Sequence, residues 1–261
     1  MSQVISSDSS ERHQKVSKLL ISQPKPEDRN SPYFKLAEKY DMEVEFKQFI
    51  QIEGVDYAEF RKEKINFLDY TAVIFTSRNA VDYYFKMCLE CKVEMPADMK
   101  YFCVSDQTAN YLQKYITIRK RKMFTGFKTA SDLIEIIKKH TTEKFVFPCS
   151  DIRKGEIPLF MEENGIFYKE AVLYRTVAAD LSQIDINQFD MVAFFSPSGV
   201  SSLKTNFPDF KQSGVRIAAF GPTTAMAVRD HDLLLDIEAP MPNAPSMTGA
   251  IELYIKGVNN K

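Results

Sequence analysis

The chain has 261 residues, of which 44% are hydrophobic, and a formal net charge of −1. This length and apolar content suffice for one large domain or two small ones, and the balanced charge argues against the basic surface that nucleic-acid-binding proteins usually have. No apolar run approaches the roughly 18 residues of a membrane helix, and the N-terminal segment MSQVISSDSSERHQK lacks the apolar core of a signal peptide. We therefore expect a cytoplasmic protein.

Short apolar runs alternate with amphipathic segments along the whole chain, which indicates alternating strands and helices. Most of these runs suit strands that are buried on both faces of a parallel sheet. The predicted strands are residues 17–21, 44–50, 72–75, 101–104, 144–147, 169–174, 191–195 and 217–220. The predicted helices are residues 32–40, 80–91, 108–115, 131–140, 157–164, 200–206, 224–230 and 246–256.

Four sequence motifs recur in the same order in the two halves of the chain. VIFTSRNAV aligns with AFFSPSGV, which pairs Ser77 with Ser196. FCVSDQTANYL aligns with AAFGPTTAMAV, which pairs Thr108 with Thr224. TASDLIEII aligns with PSMTGAIEL, and KLAEKYDMEVEFKQFI with FMEENGIFYKEAVLY. Because the order is preserved, we predict two related halves, each built from alternating strands and helices.

Serine, threonine, proline and glycine cluster where the predicted strands end and the helices begin. These residues are typical of helix N-caps and first turns, so capping alone could explain each single turn. Taken together they indicate more, because ligands of open α/β sheets bind beyond the carboxyl ends of the strands and the free N–H groups of helix N-termini bind anions there. We predict a cleft between the two halves, lined by N–H and hydroxyl donors, that binds a large flexible polyanion.

Metal and cofactor chemistry find little support in the sequence. Cys88 and Cys91 form a single CxxC without a second pair, and the histidines fit no metal-binding pattern. GxGxxG and GxxxxGK[ST] motifs are missing. We expect no metal and no organic cofactor. From the residues alone, the chain is a two-domain α/β protein with an anion-binding cleft and no evident nucleophile or acid–base pair.

The motifs VIFTSRNAV, FFSPSGV, AAFGPTTAMAV, FVFPCSDIRKGEIPLFMEENG and AVLYRTV resemble those of the uroporphyrinogen-III synthase family, and the resemblance extends over residues 16–256. It implies two related α/β domains with parallel sheets flanked by helices, a two-stranded connector near residues 46–52 and 171–177, and a substrate cleft between the domains. Domain 1 would comprise residues 1–50 and 175–261, and domain 2 residues 51–174.

The resemblance also implies the reaction. Such a lyase closes hydroxymethylbilane, a linear tetrapyrrole with eight carboxylates, to uroporphyrinogen III with loss of water and inversion of ring D, in haem biosynthesis and without a cofactor. The bilane closes to the uninverted isomer on its own, so the protein must hold it in one conformation and assist departure of hydroxide. The expected partners are the substrate and, transiently, hydroxymethylbilane synthase. We expect a monomer that binds neither nucleic acid nor membrane.

Tyr174, in VLYRT, matches the tyrosine that the family has between its domains. The resemblance implies that its phenol contacts the leaving hydroxyl, and the alternative is an aromatic side chain that only packs at the connector. Arg175 and Arg216 are further candidates for charge attraction. The predicted substrate-binding residues lie at the strand–helix turns and are Thr76, Ser77, Arg78, Thr108, Ser150, Ser196, Ser198, Gly199, Thr223 and Thr224.

Several positions depart from the family pattern. The first strand ends in LLISQP, without the arginine of the Thr-Arg-Pro that many bacterial members have. Ser105 and Asp106 replace the usual glycine before Thr-Ala, and Ser150 stands where glycine is common. Two other classes of protein remain open: a non-catalytic two-domain cytoplasmic module that binds an anion or a tetrapyrrole, and an interaction scaffold without a ligand.

Overall fold

A computed structural model describes residues 15–28, 30–117, 119–153 and 155–259, so the polar N-terminal segment 1–14 lies outside the described residues. The chain divides into two compact units. Unit 1 comprises the residues up to Gln51 and those from Val177 onward, and unit 2 comprises Ile52–Thr176. The sequence-based boundaries after residues 50 and 174 lie one and two residues before these (50 against 51, 174 against 176).

Strands and helices alternate through both units. The strands are β1 (Lys18–Ile21), β2 (Glu43–Phe46), β3 (Ile50–Gly54), β4 (Ala72–Phe75), β5 (Lys100–Cys103), β6 (Met123–Thr125), β7 (Phe145–Ser150), β8 (Tyr168–Ala178), β9 (Met191–Phe194), β10 (Arg216–Phe220) and β11 (Ile237–Ala239). The helices are α1 (Pro32–Tyr40), α2 (Tyr57–Phe60), α3 (Arg78–Glu90), α4 (Asp106–Leu112), α5 (Ala130–Ile137), α6 (Glu156–Glu163), α7 (Pro197–Asn206), α8 (Pro222–Asp230) and α9 (Met247–Asn259). Within the described part of the chain, none of the helices is both long and apolar enough to traverse a bilayer.

Unit 1 contains a five-stranded sheet in the order β11-β10-β9-β1-β2, and all neighbouring strands are parallel. Successive residues of a strand point to opposite faces. Along β1, Leu20 packs in a core cluster with residues of α7 and α8, whereas Leu19 and Ile21 pack in a second cluster with residues of α1 and α9. Helices therefore cover both faces, which explains why the strands are almost entirely apolar.

Unit 2 contains a six-stranded sheet in the order β3-β8-β7-β4-β5-β6, and the strands from β8 to β6 are parallel. Along β4, Val73 and Phe75 pack in a cluster with residues of α3 and α4, whereas Ala72 and Ile74 pack with residues of α5 and α6. This unit is also a parallel sheet between two helical layers, as the fold class predicted from the sequence requires.

The two sheets have the same internal order. Unit 1 has the order β11-β10-β9-β1-β2, and unit 2 has β6-β5-β4-β7-β8 with β3 added beside β8. The motifs of Ser77 and Ser196 follow the central strands β4 and β9, and those of Thr108 and Thr224 follow β5 and β10. The repeat in the sequence is therefore a repeat of the fold.

The two neighbouring strands β3 and β8 carry the chain from unit 1 to unit 2 and back, which is the two-stranded connector of the predicted fold. The prediction of a single strand over 44–50 is wrong, because residues 47–49 separate β2 from β3. Phe49 enters the core of unit 1 there, with its ring edge-on to Phe194 at 5.6 Å. Its carbonyl accepts hydrogen bonds from the backbone of Ala179 and the hydroxyl of Ser202.

Short elements and helix starts account for the other differences from the sequence prediction. The elements β6, β11 and α2 were missed, because three or four residues are too few to show a periodic pattern. Helices α3, α4, α7 and α8 begin two or three residues before their predicted starts. A helix takes its first turn directly after the N-cap, and that turn includes the polar residues and prolines that were assigned to loops.

Candidate functional site

The turn after β4 places Thr76 and Ser77 at the carboxyl edge of the unit 2 sheet. Ser77 has extended backbone angles, φ −156° and ψ 163°, and its Oγ accepts a hydrogen bond from the backbone N–H of Ala80 at 3.0 Å. Ser77 is therefore the N-cap of α3, as predicted. The same oxygen lies 3.1 Å from the phenol oxygen of Tyr174, so the cap contacts the residue that the sequence singles out for chemistry.

A β-bulge in β8 sets the direction of Tyr174. The register pairs Cys149 with Val172 and then Ser150 with Tyr174, so Leu173 is an extra residue opposite β7. An extra residue turns the side chain that follows it to the other face of the sheet. Leu173 and Tyr174 consequently both pack in the cluster that contains α3, which brings the phenol to the Ser77 turn.

Tyr174 is 7% exposed, and its ring stacks on that of Tyr83 with centroids 5.2 Å apart and planes at 19°. Burial raises the pKa of the Tyr174 phenol above its ordinary value of 10.0, and the hydrogen bond with Ser77 opposes this effect without cancelling it. The phenol is therefore neutral at physiological pH and can act as a hydrogen-bond donor.

A cavity of about 600 Å³ lies at this edge of the unit 2 sheet, and Tyr174 and Ser77 form part of its wall. Its volume is that of an ordinary small-molecule pocket, and the N-cap of α3 and the first turns of α5 and α6 border it. Four predicted site residues, Thr76, Ser77, Ser150 and Tyr174, come together here. The remaining lining residues are Val104, Lys128, Thr129, Ala130, Ser131, Phe147, Cys149, Ile152, Arg153, Glu156 and Ile157.

The start of α5 contributes lining residues that were not predicted from the sequence. Thr129 is the N-cap and forms a capping box with Asp132, which accepts hydrogen bonds from the backbone and hydroxyl of Thr129 at 2.8 and 2.7 Å. Ala130 and Ser131 form the first turn, and Lys128 precedes the cap. The motif TASDL was recognised as part of the repeat, and its Thr-x-x-Asp spacing is the capping-box signal that could have identified this turn.

The turn after β7 adds Ser150, whose hydroxyl donates to Asp151 at 2.8 Å. The Asp151 carboxylate also accepts from the backbone N–H groups of Ile152 and Thr176. Burial raises the pKa of Asp151, but these hydrogen bonds outweigh it and hold the pKa below its ordinary value. The carboxylate of Asp151 is thus satisfied by local donors, and Asp151 does not line the cavity.

Arg153 is a second cation of the cavity wall that was not predicted from the sequence. Its guanidinium forms a two-point ion pair with Glu170, in which Nε lies 2.5 Å from the carboxylate. The pairing with Glu170 raises the pKa of Arg153. Because Glu170 neutralises it, Arg153 adds less positive charge to the cavity than its position suggests.

In unit 1, the turn after β9 repeats the geometry of the Ser77 turn. Ser196 has φ −154° and ψ 153°, and its Oγ accepts from the backbone N–H of Gly199 at 3.2 Å. Pro197 occupies the first turn of α7, three residues before the predicted start of that helix, and Ser198 is half-buried beside it. Gly199 is itself buried, and because the cap uses its N–H, this glycine offers no free donor.

The turn after β10 is capped by backbone conformation alone. Gly221 has φ 87°, a left-handed value that disfavours other residues, and it makes no side-chain cap hydrogen bond. Pro222 begins α8, and Thr223 is exposed in its first turn. Thr224 is 1% exposed, so its side chain belongs to the core of unit 1. Of the two threonines, only Thr223 presents its hydroxyl to solvent.

Several other predicted binding residues have partners within their own units. Thr108 is 5% exposed, with its hydroxyl 3.3 Å from that of Ser105. Arg175 forms an ion pair with Glu59, which raises the pKa of the guanidinium. The expectation for Arg216 is wrong: it begins β10, at the edge opposite the turns, is 2% exposed and donates to the carbonyl of Gly214 at 3.1 Å.

Arg78 is exposed at the start of α3, and its guanidinium carbon lies 5.5 Å from the ring centroid of Tyr111. The phenol of Tyr111 donates to the carboxylate of Asp82, at 2.8 and 2.9 Å from the two oxygens, and Tyr115 donates to the same carboxylate. Arg78 does not line the cavity. It lies next to Ser77 in the chain, and a cation–π contact supports its side chain.

The cysteines are free thiols in ordinary structural positions. Cys88 lies in α3 and Cys91 follows it as the C-terminal cap, as expected for a helix end. Burial raises the pKa of Cys103 and Cys149 to about 12, so both thiols are protonated at neutral pH. Among the residues that the structure describes, histidine, cysteine, aspartate and glutamate form no group of three or more that could hold a metal ion.

The fold and the donor-lined turns define a class: a two-unit α/β protein whose parallel sheets present helix N-termini and hydroxyls at their carboxyl edges. The family model described as uroporphyrinogen-III synthase HemD matches residues 31–249. The chain therefore belongs to the uroporphyrinogen-III synthase family, whose members are enzymes of porphyrin and haem biosynthesis.

Individual proteins resemble this chain in sequence or in fold. The uroporphyrinogen-III synthase of Saccharomyces cerevisiae is 26% identical over 174 residues, which cover 59% of this chain and 63% of the yeast protein. The match thus spans less than two thirds of that relative. Uroporphyrinogen-III synthetase from Helicobacter pylori has the same fold, with a TM-score of 0.55, 16% identity, and coverage of 92% of this chain and 99% of that one. A mutant uroporphyrinogen III synthase from Thermus thermophilus also has this fold, with a TM-score of 0.51 and 14% identity, and the match covers 92% of this chain and 99% of that one.

Proposed function

We propose that this chain is a uroporphyrinogen-III synthase, a hydro-lyase that closes hydroxymethylbilane to uroporphyrinogen III with loss of water and inversion of ring D. The observation that carries the proposal is the pairing of Tyr174 with Ser77 in the wall of a cavity that three helix N-termini border. A neutral phenol beside an anion-binding surface suits a substrate with many carboxylates and a hydroxyl leaving group.

The substrate carboxylates bind at the strand–helix turns. Backbone N–H groups of the helix first turns and side-chain hydroxyls donate to them, and Lys128 adds a positive charge to the cavity of unit 2. Several such donors together hold a flexible bilane in one conformation, which is the main requirement of a reaction that otherwise gives the uninverted isomer. The proposed binding residues are Thr76, Ser77, Arg78, Ser150, Ser196, Ser198, Gly199, Thr223 and, through its backbone, Thr224.

Tyr174 assists departure of the leaving group. The C–O bond of the hydroxymethyl group breaks, the adjacent pyrrole nitrogen supplies the electrons, and a cationic azafulvene and hydroxide form. The phenol of Tyr174 donates a hydrogen bond to the departing oxygen, which stabilises its developing negative charge. This role requires the phenol oxygen to accept a hydrogen bond from the Ser77 hydroxyl. The Ser77 hydroxyl can donate to Tyr174 while its oxygen accepts from Ala80.

The azafulvene then bonds to ring D at the α-carbon that already bears the bridge, which gives a spiro intermediate. The original bridge bond to that carbon breaks, and the released bridge carbon bonds to the free α-carbon of ring D. That carbon loses its proton, which combines with the hydroxide to give water, and the inverted isomer results. None of these steps changes the oxidation state of the bilane, so the proposed reaction takes no cofactor. The protein supplies conformation and hydrogen bonds, and its neutral buried thiols take no part.

We further propose that units 1 and 2 are the two domains that the family resemblance implies, and that the protein acts as a cytoplasmic monomer. Because the bilane cyclises without enzyme, a short transit from the enzyme that makes it would be favourable. A transient contact with hydroxymethylbilane synthase is therefore part of the proposal.

The test is to give the purified protein freshly prepared hydroxymethylbilane, oxidise the products and separate the porphyrin isomers by chromatography. We expect isomer III to dominate with active protein and isomer I with heat-inactivated protein. Isomer I alone in both samples would overturn the proposal. A binding titration with uroporphyrinogen would then decide between a non-catalytic tetrapyrrole-binding module, which binds it, and a scaffold, which does not.

A further inference from the structure

Tyr83 is a half-buried residue of α3 to which the proposed reaction assigns no role. Its ring stacks on that of Tyr174, with a centroid distance of 5.2 Å and an interplanar angle of 19°. Helix α3 and its N-cap therefore contact Tyr174 at two points. The Ser77 hydroxyl contacts the phenol oxygen, and the ring of Tyr83 stacks on the face of the phenol ring.

Tyr83 is itself held on two sides. Its hydroxyl donates to the carbonyl of Ile52 at 3.1 Å. Its ring also lies against the backbone of Gly54, where an added Cβ would be only 2.7 Å from Cε1 and 3.0 Å from Cδ1. An aromatic ring that covers a glycine on an edge strand is a recognised way of stabilising that strand. The ring of Tyr83 is thus fixed between β3 and Tyr174.

The geometry of a tyrosine explains what such a stack controls. The phenol oxygen lies on the axis about which the ring flips, so ring flips leave it in place. Rotation about χ1 or tilting of the ring moves it by ångströms. A second ring packed on the face of Tyr174 resists that tilt, whereas the single hydrogen bond to Ser77 constrains only the tip.

We infer that Tyr83 is a positioning residue for the proposed synthase reaction: by stacking on Tyr174, and being fixed by Ile52 and Gly54, it keeps the phenol aligned with Ser77 and the cavity. The inference rests on the proposed role of Tyr174. A displacement of about 1 Å at a reacting group can cost on the order of a hundredfold in rate, so loss of the stack should reduce kcat more than it changes KM.

The neighbouring residue provides a matched control. Tyr84 lies on the same helix, is fully buried, and donates its hydroxyl to the sulfur of Met95 at 3.0 Å. Its ring contacts are with Phe67, Phe75 and Phe85, and not with Tyr174. Tyr84→Phe therefore removes one tyrosine hydrogen bond from α3 without touching the stack.

The experiment compares steady-state kinetics of Tyr83→Leu, Tyr83→Phe, Gly54→Ala and Tyr84→Phe, each shown to be folded by a thermal melt. We expect kcat to fall about tenfold or more in Tyr83→Leu, with KM within about twofold. Tyr83→Phe keeps the stack and should rescue most of the rate. Gly54→Ala pushes the ring without removing it and should lower kcat even if Tyr83→Leu fails to fold. A kcat within about twofold of the wild type in folded Tyr83→Leu, or in Gly54→Ala if Tyr83→Leu does not fold, would overturn the inference.

A second measurement does not depend on activity. Tyrosine labelled with ¹³C at the ring carbon that bears the hydroxyl gives a resonance for Tyr174, which Tyr174→Phe assigns. Tyr83→Leu, or Gly54→Ala in its place, should shift this resonance and Tyr84→Phe should not; an unchanged resonance would contradict the inference. If the wild-type protein makes no isomer III, the proposed function fails, and the resonance still decides whether Tyr83 holds the phenol.

Discussion

The hydroxyl of Ser77 contacts the phenol of Tyr174 at 3.1 Å while it caps helix α3. One side chain thereby connects the start of a helix, the carboxyl edge of a parallel sheet and the group proposed to act on the leaving hydroxyl. The bulge at Leu173 makes the contact possible, because it turns Tyr174 towards α3. The predictions below separate the structural part of this arrangement from its chemical part.

Tyr174→Phe should lower kcat with little change in KM. The variant keeps the stacked ring and loses two hydrogen bonds of the phenol, one with Ser77 and one with the leaving group. The second of these is stronger in the transition state than in the ground state. A positioned donor of this kind contributes on the order of a hundredfold. Steady-state assay with separation of the isomers measures the effect. An unchanged kcat in a folded variant would show that Tyr174 is only a packed aromatic residue.

Ser77→Ala should reduce both stability and kcat. Loss of the N-cap costs about 1 kcal/mol, and the phenol of Tyr174 loses the donor that orients it. Ser105 is a matched control, because it caps α4 with nearly the same angles, φ −155° and ψ 162°, and has no contact with Tyr174 among those found in the described structure. Ser105→Ala should lower the melting temperature similarly and leave kcat unchanged. An equal kcat for Ser77→Ala and Ser105→Ala would show that Ser77 serves only as a helix cap.

Local signals in the sequence predicted the caps and the sheet. Ser77 and Ser196 precede apolar helical segments, Pro197 fits a first helical turn, and apolar runs match the buried strands. Those features depend on neighbours within a few residues. The alignment of the two halves added the topology, because equivalent motifs follow equivalent strands.

Features that depend on distant neighbours escaped sequence reasoning. The bulge at Leu173 exists only in relation to the register of β7, and Arg153 is neutralised by Glu170, 17 residues away in the chain. Arg216 looks like any surface arginine until the sheet places it at the start of β10. The local sequence of a turn can identify a candidate site residue, but tertiary contacts determine the charges around that residue.

Lys128→Ala should raise KM and leave kcat nearly unchanged. Its ammonium group acts on carboxylates that are charged in substrate and transition state alike, so it provides uniform binding. We expect an increase in KM of about three- to tenfold at low ionic strength, and this increase should shrink as added salt screens the charge. Lys138, the C-cap of α5, which pairs with Glu135 at the opposite end of the helix from Lys128, is the control. If Lys138→Ala raises KM equally, Lys128 has no specific role.

Alkaline pH should destabilise the protein through its buried thiols. Burial raises the pKa of Cys103 and of Cys149 from 9.0 to about 12. A group whose pKa is raised by folding contributes stability that is complete below its unfolded pKa and is lost as the pH rises through the folded pKa. The melting temperature should therefore fall as the pH rises from about 9 to about 11.

The variant Cys103→Ala should show a smaller fall over that alkaline interval, because one buried thiol no longer titrates in the unfolded state. Cys91→Ala is the control, since Cys91 is only half-buried at the end of α3. Thermal melts followed by circular dichroism at several pH values give the slope for each variant. Equal slopes for Cys103→Ala and the wild type would contradict the assignment of the effect to buried thiols.

The turn of Ser196, Ser198 and Gly199 allows a test of carboxylate binding in unit 1. A Cβ added at Gly199 would lie 3.5 Å from Phe194 and from the Ser196 hydroxyl, which is ordinary contact. Gly199 is buried, so Gly199→Ala should fold normally, yet its methyl group beside the Ser196 hydroxyl should raise KM by shifting the turn on which a carboxylate would rest. Gly199→Val adds two methyl groups and should raise KM further, with some loss of stability.

Ser198→Ala shows how much KM changes when a single hydroxyl of this turn is lost, and the Gly199 variants are compared with it. It removes one half-buried hydroxyl that takes no part in the Ser196 cap, so it should cost about 1 kcal/mol of binding at most. Steady-state kinetics and thermal melts on the three variants measure KM and folding separately. If Gly199→Ala and Gly199→Val both retain the wild-type KM, nothing binds against this backbone, and the residues that follow β9 serve only to begin helix α7.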